Sequence, residues 1–277
     1  MKLVMTLLVR DEADIIASNI EFHLNQGVDF IIAMDNLSTD TTPQILRAYE
    51  RRGLLCYLHQ PEDNYAQNRW VTDMARMACT EFAADWVINN DADEFWWPEQ
   101  GDLKQILGAM PPSCAAVAVE RTNFMPRPLS PGEFFADMMT VRERRSVNAL
   151  GAPLPGKVCH RAYPDIVVTQ GNHGVHRRGH AIATLPAAIT ILHFPVRSYR
   201  QFANKIAKGG AAYTRNTELP IGTGSTWRHL YKIWQKGKFE AYYQRLIADA
   251  DQKIAKKHGI FDDRLKRFFA RMHSGDK

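Results

Sequence analysis

The apolar positions of the first 110 residues fall into short runs separated by stretches with helical spacing. Residues 2–9 are almost continuously apolar, as is typical of a strand covered on both faces. Ile16, Ile20 and Leu24 then recur at helical spacing, and Gly27 ends that helix. The same alternation predicts further strands at residues 28–34, 54–58 and 86–89, and further helices at residues 41–52 and 68–82. This β-α-β-α-β-α-β order predicts a parallel sheet with right-handed crossovers.

The pattern changes after residue 100. A short helix is predicted at residues 103–110 and a strand at residues 115–120, and residues 121–156 are rich in Pro, Gly, Arg and Met. We expect that region to be either a long, partly irregular substrate loop or a disordered segment. Strands are predicted at residues 158–168 and 189–193, followed by helices at residues 198–212, 227–235 and 239–257.

The most informative polar motif is Asp91-Ala92-Asp93-Glu94, which follows the predicted fourth strand. The carboxyl ends of strands are where an open α/β sheet usually binds its ligands. Two carboxylates one residue apart repel each other and lose hydration there unless a cation lies beside them. The motif therefore predicts a site for a hard divalent metal, together with a phosphorylated ligand.

Composition narrows the class of protein. The chain has 277 residues, of which 45% are hydrophobic and 23% are charged, as is ordinary for a soluble globular protein. The apolar run Leu3–Val9 is too short for a membrane helix or a typical signal peptide. The four cysteines include no Cys-x-x-Cys pair, so we expect reduced thiols in the cytoplasm.

The charge is distributed unevenly along the chain. Residues 200–277 contain 17 lysines and arginines against 7 acidic residues, a balance of +10, whereas residues 1–199 have a balance of −5. Either a solvated helical face or an anionic partner explains such a basic region. Nucleic acid has no supporting motif. The amphipathic spacing of Trp227, Leu230, Tyr231 and Trp234 favours peripheral contact with an anionic membrane at its inner face.

Three segments together resemble the start of the bacterial family 2 glycosyltransferases. They are VMTLLVRDEADII from Val4, DNLSTD from Asp35 and WVINNDADEF from Trp86, and the short variety with a DADEF-type motif is the most similar. The resemblance covers residues 1–110 well and extends more loosely to about residue 210. It implies a GT-A (Rossmann-like) fold, in which a mixed, mostly parallel sheet has flanking helices, here with a helical C-terminal extension.

The resemblance implies a nucleotide-sugar donor and Mn²⁺ or Mg²⁺. Arg10 and Glu12 lie where such enzymes meet the base and ribose, and Asp35 matches the acid that typically hydrogen-bonds the base. Asp91 and Asp93 match the DxD pair, whose second aspartate is the more usual direct metal ligand.

A further metal ligand in such enzymes is often a histidine downstream of the acceptor region. His173 is the preferred match, followed by His193 and His176. Arg197 and Lys205 are either cations that reach the diphosphate or ordinary surface residues. A metal with one or two such cations would stabilise the charge that develops on the leaving group.

An inverting enzyme also needs a carboxylate base beside the acceptor hydroxyl. In the family this base lies between the DxD motif and the histidine. Asp137 is the preferred candidate, followed by Glu133 and Glu120. The Glu-Asp pair that many relatives carry is absent, so the base remains open among these residues. The rings of Phe95-Trp96-Trp97 either stack on a sugar or pack in the core.

These observations predict a glycosyltransferase domain at residues 1–210, with a nucleotide-binding half (1–110) and an acceptor half (111–210), and a basic helical extension at residues 211–277. The predicted function is metal-dependent transfer of a sugar, from a UDP-linked donor, to a saccharide or lipid-linked acceptor in cell-surface polysaccharide synthesis. A catalytically degenerate nucleotide-sugar-binding module and a metal-dependent nucleotidyltransferase remain alternatives. The nucleotidyltransferase is weakened because residues 9–14 contain neither Gly nor Lys. A haloacid dehalogenase-type phosphotransferase is disfavoured because its Asp-x-Asp motif normally follows the first strand.

Overall fold

The structure is a computed structural model that describes residues 1–64, 66–130, 132–217, 219–220 and 222–274. The chain divides into two compact units. Unit 1 consists of Met1–Arg121 and Pro155–Leu192, and unit 2 consists of Thr122–Leu154 and the described part of His193–Lys277.

The elements alternate as predicted through the first half of unit 1. Along the chain they are β1 (Leu3–Val9), α1 (Ile16–Asn25), β2 (Phe30–Asp35), α2 (Thr42–Arg51), β3 (Leu55–His59), α3 (Gln67–Thr80), β4 (Trp86–Asp91), β5 (Glu94–Pro98), α4 (Leu103–Gly108) and β6 (Ala116–Asn123). Two short elements of unit 2 follow, α5 (Phe135–Met138) and β7 (Val141–Glu143). The chain then forms β8 (Lys157–Arg161), β9 (Ile166–Val168), a 3₁₀ turn (Gln170–Asn172), β10 (Val175–Arg177), β11 (His180–Ala181) and β12 (Thr184–His193).

An eight-stranded sheet with the order β3-β2-β1-β4-β8-β6-β12-β5 organises these elements. β1 pairs in parallel with β2 and β4, and β2 pairs in parallel with β3. β1 is buried along nearly its whole length, which explains its continuous apolar run. The predicted α/β class, a sheet with flanking helices, is confirmed.

The sheet becomes mixed at β8, which runs antiparallel to both β4 and β6. Ile88 of β4 pairs with Cys159 of β8. Two residues further along, β4 reaches Asn90 while β8 goes back to its first residue, Lys157. The antiparallel direction therefore brings the start of β8 to the carboxyl end of β4. One strand was predicted over residues 158–168, whereas the structure has two, β8 and β9.

Helix α3 covers one face of the parallel strands and forms much of the core of unit 1. Trp70, Met74 and Ala78 on this helix are buried against Val4 of β1 and Val87 of β4. The side chains at these positions recur every three or four residues, which is the spacing that places them on one face of a helix.

Unit 2 is mainly helical after residue 193. Its elements there are α6 (Tyr199–Arg215), α7 (Ser225–Gln235), α8 (Phe239–Ala255), β13 (Gly259–Phe261) and α9 (Arg264–Ser274). Phe202, Leu230, Phe239 and Tyr243 belong to its apolar core. Among the described residues, no helix is both long and apolar enough to cross a membrane.

Most of the predicted membrane-facing stripe on α7 is used for packing within unit 2. A Cβ on Gly209 would lie 2.5 Å from the Trp227 ring, and a Cβ on Gly210 would lie 2.4 Å from the Tyr231 Cβ. Helices α6 and α7 therefore approach closely at these glycines. Leu230 is buried, whereas Trp234 is 39% exposed. Membrane contact therefore stays a prediction, and the face on which it was based is mostly internal.

The boundaries of the two compact units differ from those of the predicted domains. The predicted boundary at residues 210 and 211 falls inside α6, and the Thr122–Leu154 segment groups with the C-terminal helices. One link is the pairing of β7 with β13, in which Val141 lies opposite Phe261. Such pairing across more than 100 residues leaves no local signal in the sequence.

Candidate active site

Two of the predicted acids lie at the same edge of the sheet in unit 1. Asp35 ends β2 opposite Val9 of β1, and Asp91 ends β4 opposite Leu8 of β1. The chain then turns through Ala92 and Asp93 into β5. We call Asp91–Glu94 the acidic turn. Asp93 is 2% exposed and Glu94 is fully buried, so these acids are part of the interior rather than of a solvated loop.

Buried amides hold the backbone of the acidic turn. The Asn19 Nδ2 on α1 donates to the carbonyl oxygens of Ala92 at 2.9 Å and Glu94 at 2.8 Å. Asn90 Nδ2 donates to the Asn19 side-chain oxygen at 3.1 Å, and Trp96 Nε1 donates to Asn90 Oδ1 at 2.9 Å. Because these buried groups satisfy one another, the turn has one well-defined conformation.

A neutral histidine completes this network. Burial lowers the pKa of His23 to about 4 although its bond to Asn19 works in the opposite direction. The neutral ring donates from Nδ1 to the Asn19 carbonyl oxygen at 2.8 Å and accepts the Trp96 backbone N–H at Nε2, at 3.3 Å. Phe95 and Trp96 are fully buried, and the Trp97 ring stacks on Phe22. The rings of Phe95 and Trp96 therefore pack in the core instead of lying open to a sugar.

Two cations lie against the acidic turn. Lys157 Nζ is 2.5 Å from Asp91 Oδ2 and 3.4 Å from Glu94 Oε1. Arg121 Nη1 is 2.9 Å from the same Glu94 oxygen. Burial raises the pKa of Asp91, but the Lys157 ammonium outweighs this, and the net pKa is below the usual value. Asp91 is consequently ionised at neutral pH.

The turn that carries His173 lies next to Asp91. Asn172, at the end of the 3₁₀ turn, has its Nδ2 3.4 Å from Asp91 Oδ1. The Nδ1 of His173 is 2.7 Å from the Gly156 carbonyl oxygen, so Nδ1 carries the proton of the neutral ring and the lone pair is on Nε2. Desolvation and the Lys157 ammonium lower the pKa of His173 to about 4.

These donors suit a divalent metal that binds together with a substrate phosphate. The described residues contain no group of three or more His, Cys, Asp or Glu side chains placed to hold a metal by themselves. Mg²⁺ sites, however, commonly use one or two carboxylates with substrate phosphates and water. A neutral imidazole oriented by a backbone carbonyl is the usual form of a histidine ligand. Asp93 and His173 stay the candidates for such a metal, while Asp91 is engaged by Lys157.

The predicted nucleotide-side residues lie near the ends of β1 and β2. The Asp35 carboxylate accepts the Ser38 N–H at 3.3 Å and the Tyr57 hydroxyl at 3.3 Å. Arg10 Nη1 forms an ion pair with Asp63 at 2.7 Å. Glu12 is buried, and its backbone N–H donates to Thr42 Oγ1 at 2.9 Å.

The other predicted site residues are spread over both units. Arg197 is buried and donates from Nη1 to the Phe194 carbonyl oxygen at 3.1 Å. His193 Nδ1 is 2.7 Å from Asn123 Oδ1. His176 is on β10 in unit 1, and Lys205 is on α6.

The candidate bases are all exposed to solvent. Glu133 accepts the Ser130 N–H at 2.7 Å, Asp137 lies 3.8 Å from Lys266 Nζ, and Glu120 is on β6. The metal, nucleotide and base roles of these residues stay predictions.

Sequence reasoning missed Lys157 and Arg121. Neither belongs to a recognisable motif, and Lys157 is 66 residues from Asp91 in the chain. The only available signal was electrostatic, because three acids within four residues at the end of a buried strand require cations from elsewhere in the fold.

The sequence model of glycosyltransferase family 92 matches residues 4–219, which is most of the chain. The chain belongs to glycosyltransferase family 92. The predicted class of enzyme, a glycosyltransferase, is thereby confirmed. The resemblance had indicated a DADEF-type subgroup of family 2, whereas the matching model is that of family 92. No curated protein matches the chain.

Solved structures resemble this family 92 chain at low identity. The crystal structure of S. aureus TarS is 12% identical, with a TM-score of 0.43, and the match covers 81% of this chain and 45% of that one. The chain thus corresponds to less than half of that TarS structure. S. aureus TarS 1-349 in complex with UDP-GlcNAc is 10% identical over 93% of this chain and 92% of that one, with a TM-score of 0.38. Glucosyl-3-phosphoglycerate synthase from Mycobacterium tuberculosis, in complex with Mn²⁺, UDP and glucosyl-3-phosphoglycerate, is 16% identical over 58% of this chain and 57% of that one, with a TM-score of 0.32.

Proposed function

We propose that this protein transfers a sugar from a UDP-linked donor to a hydroxyl group of a saccharide or lipid-linked acceptor. The observation that carries the proposal is the acidic turn of a family 92 chain, buried at the carboxyl end of β4 and fixed by surrounding amides and cations. Acids held in such buried, charge-compensated surroundings cluster at functional sites.

Asp93 and His173 are the proposed metal-binding residues, and Mn²⁺ or Mg²⁺ is the proposed metal. The chemistry that this metal supplies when bound is a positive charge close to the leaving diphosphate. Manganese is the better match because one of the two ligands is an imidazole. The His173 Nδ1–H bond to Gly156 supports this role, since it leaves Nε2 as the ligand atom.

The nucleotide is assigned to the β2 side of β1, whereas the acidic turn follows β4 on the opposite side of β1. Asp35 is the proposed partner of the base, and Arg10 and Glu12 are the proposed residues near the base and ribose. Asp35 is at the same sheet edge as Asp91, with β1 between their strands, which supports a ligand that spans the two strand ends. Arg197 is a further candidate for the diphosphate, although its side chain is buried and donates to the Phe194 carbonyl oxygen.

The catalytic base is assigned to Asp137, with Glu133 and Glu120 as the next candidates. A base has to exchange a proton with an acceptor that enters from solvent, and the 52% exposed Asp137 side chain allows this. We place the reaction in the cytoplasm, at the membrane when the acceptor carries a lipid, within cell-surface polysaccharide synthesis.

A ligand panel tests the proposal directly. The intact protein is titrated calorimetrically with UDP, UDP-sugars and GDP-, ADP- and CMP-linked sugars, each with Mn²⁺, with Mg²⁺ and with EDTA. We expect UDP and one UDP-sugar to bind in the presence of Mn²⁺ and to lose most affinity in EDTA. Absence of binding by every nucleotide-sugar would overturn the proposal. Donor binding without hydrolysis or transfer, over an acceptor panel, would instead indicate a binding module.

A further inference from the structure

The segment Pro155-Gly156-Lys157, here called the β8 entry segment, contacts three parts of the candidate site. The Pro155 carbonyl oxygen accepts a hydrogen bond from Arg121 Nε at 2.8 Å, and the Gly156 carbonyl oxygen is 2.7 Å from His173 Nδ1. Lys157 Nζ contacts both Asp91 and Glu94. One short stretch of backbone therefore connects the acidic turn with the histidine proposed as a metal ligand.

The entry segment has little room to move. A Cβ on Gly156 would lie 2.7 Å from the carbonyl oxygen of Val119 on β6, so only glycine fits at this close approach. The segment continues directly into β8, which pairs with β6 on one side and β4 on the other. Its position is consequently set by the middle of the sheet.

Lys157 is the charged group that the acidic turn requires. Its side chain is 1% exposed, so it does not serve as a surface cation. The carboxylates of Asp91 and Glu94 repel each other and have lost hydration. An ammonium close to both of them offsets these costs. Glu94 Oε2 has no hydrogen-bond partner among the described residues, so Lys157 and Arg121 at Oε1 provide its charge compensation.

We infer that Lys157 is a positioning residue of the donor site, which acts through Asp91 rather than by contact with the donor. The ammonium holds Asp91 and Glu94 in place, and the entry segment relates the turn to His173. This inference rests on the proposed function. It assigns to Lys157 a role in binding the metal–nucleotide pair that is exerted through the acidic turn.

Calorimetry of UDP binding in excess Mn²⁺ tests the inference independently of turnover. We expect Lys157→Met to raise the dissociation constant about 10- to 100-fold, the range typical for residues that orient metal ligands. Lys104→Met is the matched control, because Lys104 Nζ pairs with Asp29 at 2.6 Å outside the candidate site. This control should leave the dissociation constant unchanged within about twofold.

A double-mutant cycle separates positioning from direct contact. If Lys157 acts through Asp91, then Asp91→Asn and Asp91→Asn/Lys157→Met should bind UDP equally well within about twofold. The double variant removes both charges of the pair, so this comparison holds even where Lys157→Met alone fails to fold. A further large loss in the double variant would mean that Lys157 does not act through Asp91, and the inference would be wrong.

The outcome for the wild-type protein keeps the two proposals apart. If the wild type does not bind UDP with Mn²⁺, the proposed function fails. If the wild type binds and Lys157→Met binds equally tightly, the function stands and the inference is overturned.

Discussion

The acidic turn and the segment around Asp137 both carry acids predicted to act in catalysis, but in opposite surroundings. In the turn, Asp93 is 2% exposed and Glu94 is fully buried, and Lys157 and Arg121 supply the countercharges. The Asp137 side chain is 52% exposed and lies 3.8 Å from Lys266, an arrangement worth at most about 1 kcal/mol.

This difference shows where geometry is informative about function. Burying an unpaired carboxylate costs on the order of several kcal/mol. The partners of a buried carboxylate therefore have to be specified by the fold. An exposed carboxylate costs almost nothing. Its position therefore carries little evidence about its role, and the base has to be found by experiment.

The largest effect should follow from changing the charge of the buried turn. Asp93→Asn preserves size but removes the charge that is proposed to bind the metal. We expect transfer and hydrolysis of the UDP-sugar to fall at least about 10³-fold, with the melting temperature nearly unchanged. The measurement is the initial rate of UDP release in Mn²⁺.

Asp73→Asn is the matched control for this change, since Asp73 is an exposed residue on α3. It should keep the wild-type rate. Full activity in Asp93→Asn would mean that the buried turn is only structural, and the contrast between the two regions would lose its functional meaning.

A smaller effect, confined to chemistry, is expected at the exposed segment. Asp137→Asn should lower kcat about 10²-fold because the acceptor hydroxyl loses its proposed base, while the calorimetric affinity for UDP stays the same. Asp249→Asn, another exposed acid of unit 2, serves as the control and should have no effect. An unchanged kcat for Asp137→Asn would remove Asp137 from the mechanism and leave Glu133 and Glu120 to be tested in the same way.

The smallest effect concerns stability and tests how the buried turn is supported. The pKa of His23 is about 4 in the folded protein and about 6.5 in the unfolded chain, so the unfolded state binds the extra proton. Stability is therefore fully present above about pH 6.5 and is lost as the pH falls towards 4. The loss is about 3 kcal/mol, since each pKa unit corresponds to about 1.4 kcal/mol.

His23→Gln should flatten this dependence, because a glutamine amide can keep both hydrogen bonds without titrating. The free energy of unfolding in urea at pH 7 and pH 4.5 provides the measurement. The variant should lose about 2 to 3 kcal/mol less than the wild type over that interval. His160, whose pKa burial also lowers to about 4, remains in both proteins, so an identical pH dependence would show that the fold does not keep His23 neutral.

Much of the fold could be predicted because its signals are local. The apolar runs of β1 to β4 and the helical spacing of α1 to α3 appear within a few residues of the predicted bounds. The acidic turn was also placed correctly at the end of the fourth strand. The amphipathic stripe of α7 was recognised, but its partner was not, because glycines of α6 create that contact from a different part of the chain.

The sequence by itself determined the α/β class, the position of the acidic turn and the glycosyltransferase resemblance, because each depends on neighbouring residues. Only the tertiary structure decided that Lys157 neutralises Asp91, that His173 is oriented by Gly156 and that Phe95 and Trp96 are core residues. The physical reason is that β8 runs antiparallel to β4. Strand direction brings together charges that are 66 residues apart, and no short sequence pattern records that pairing.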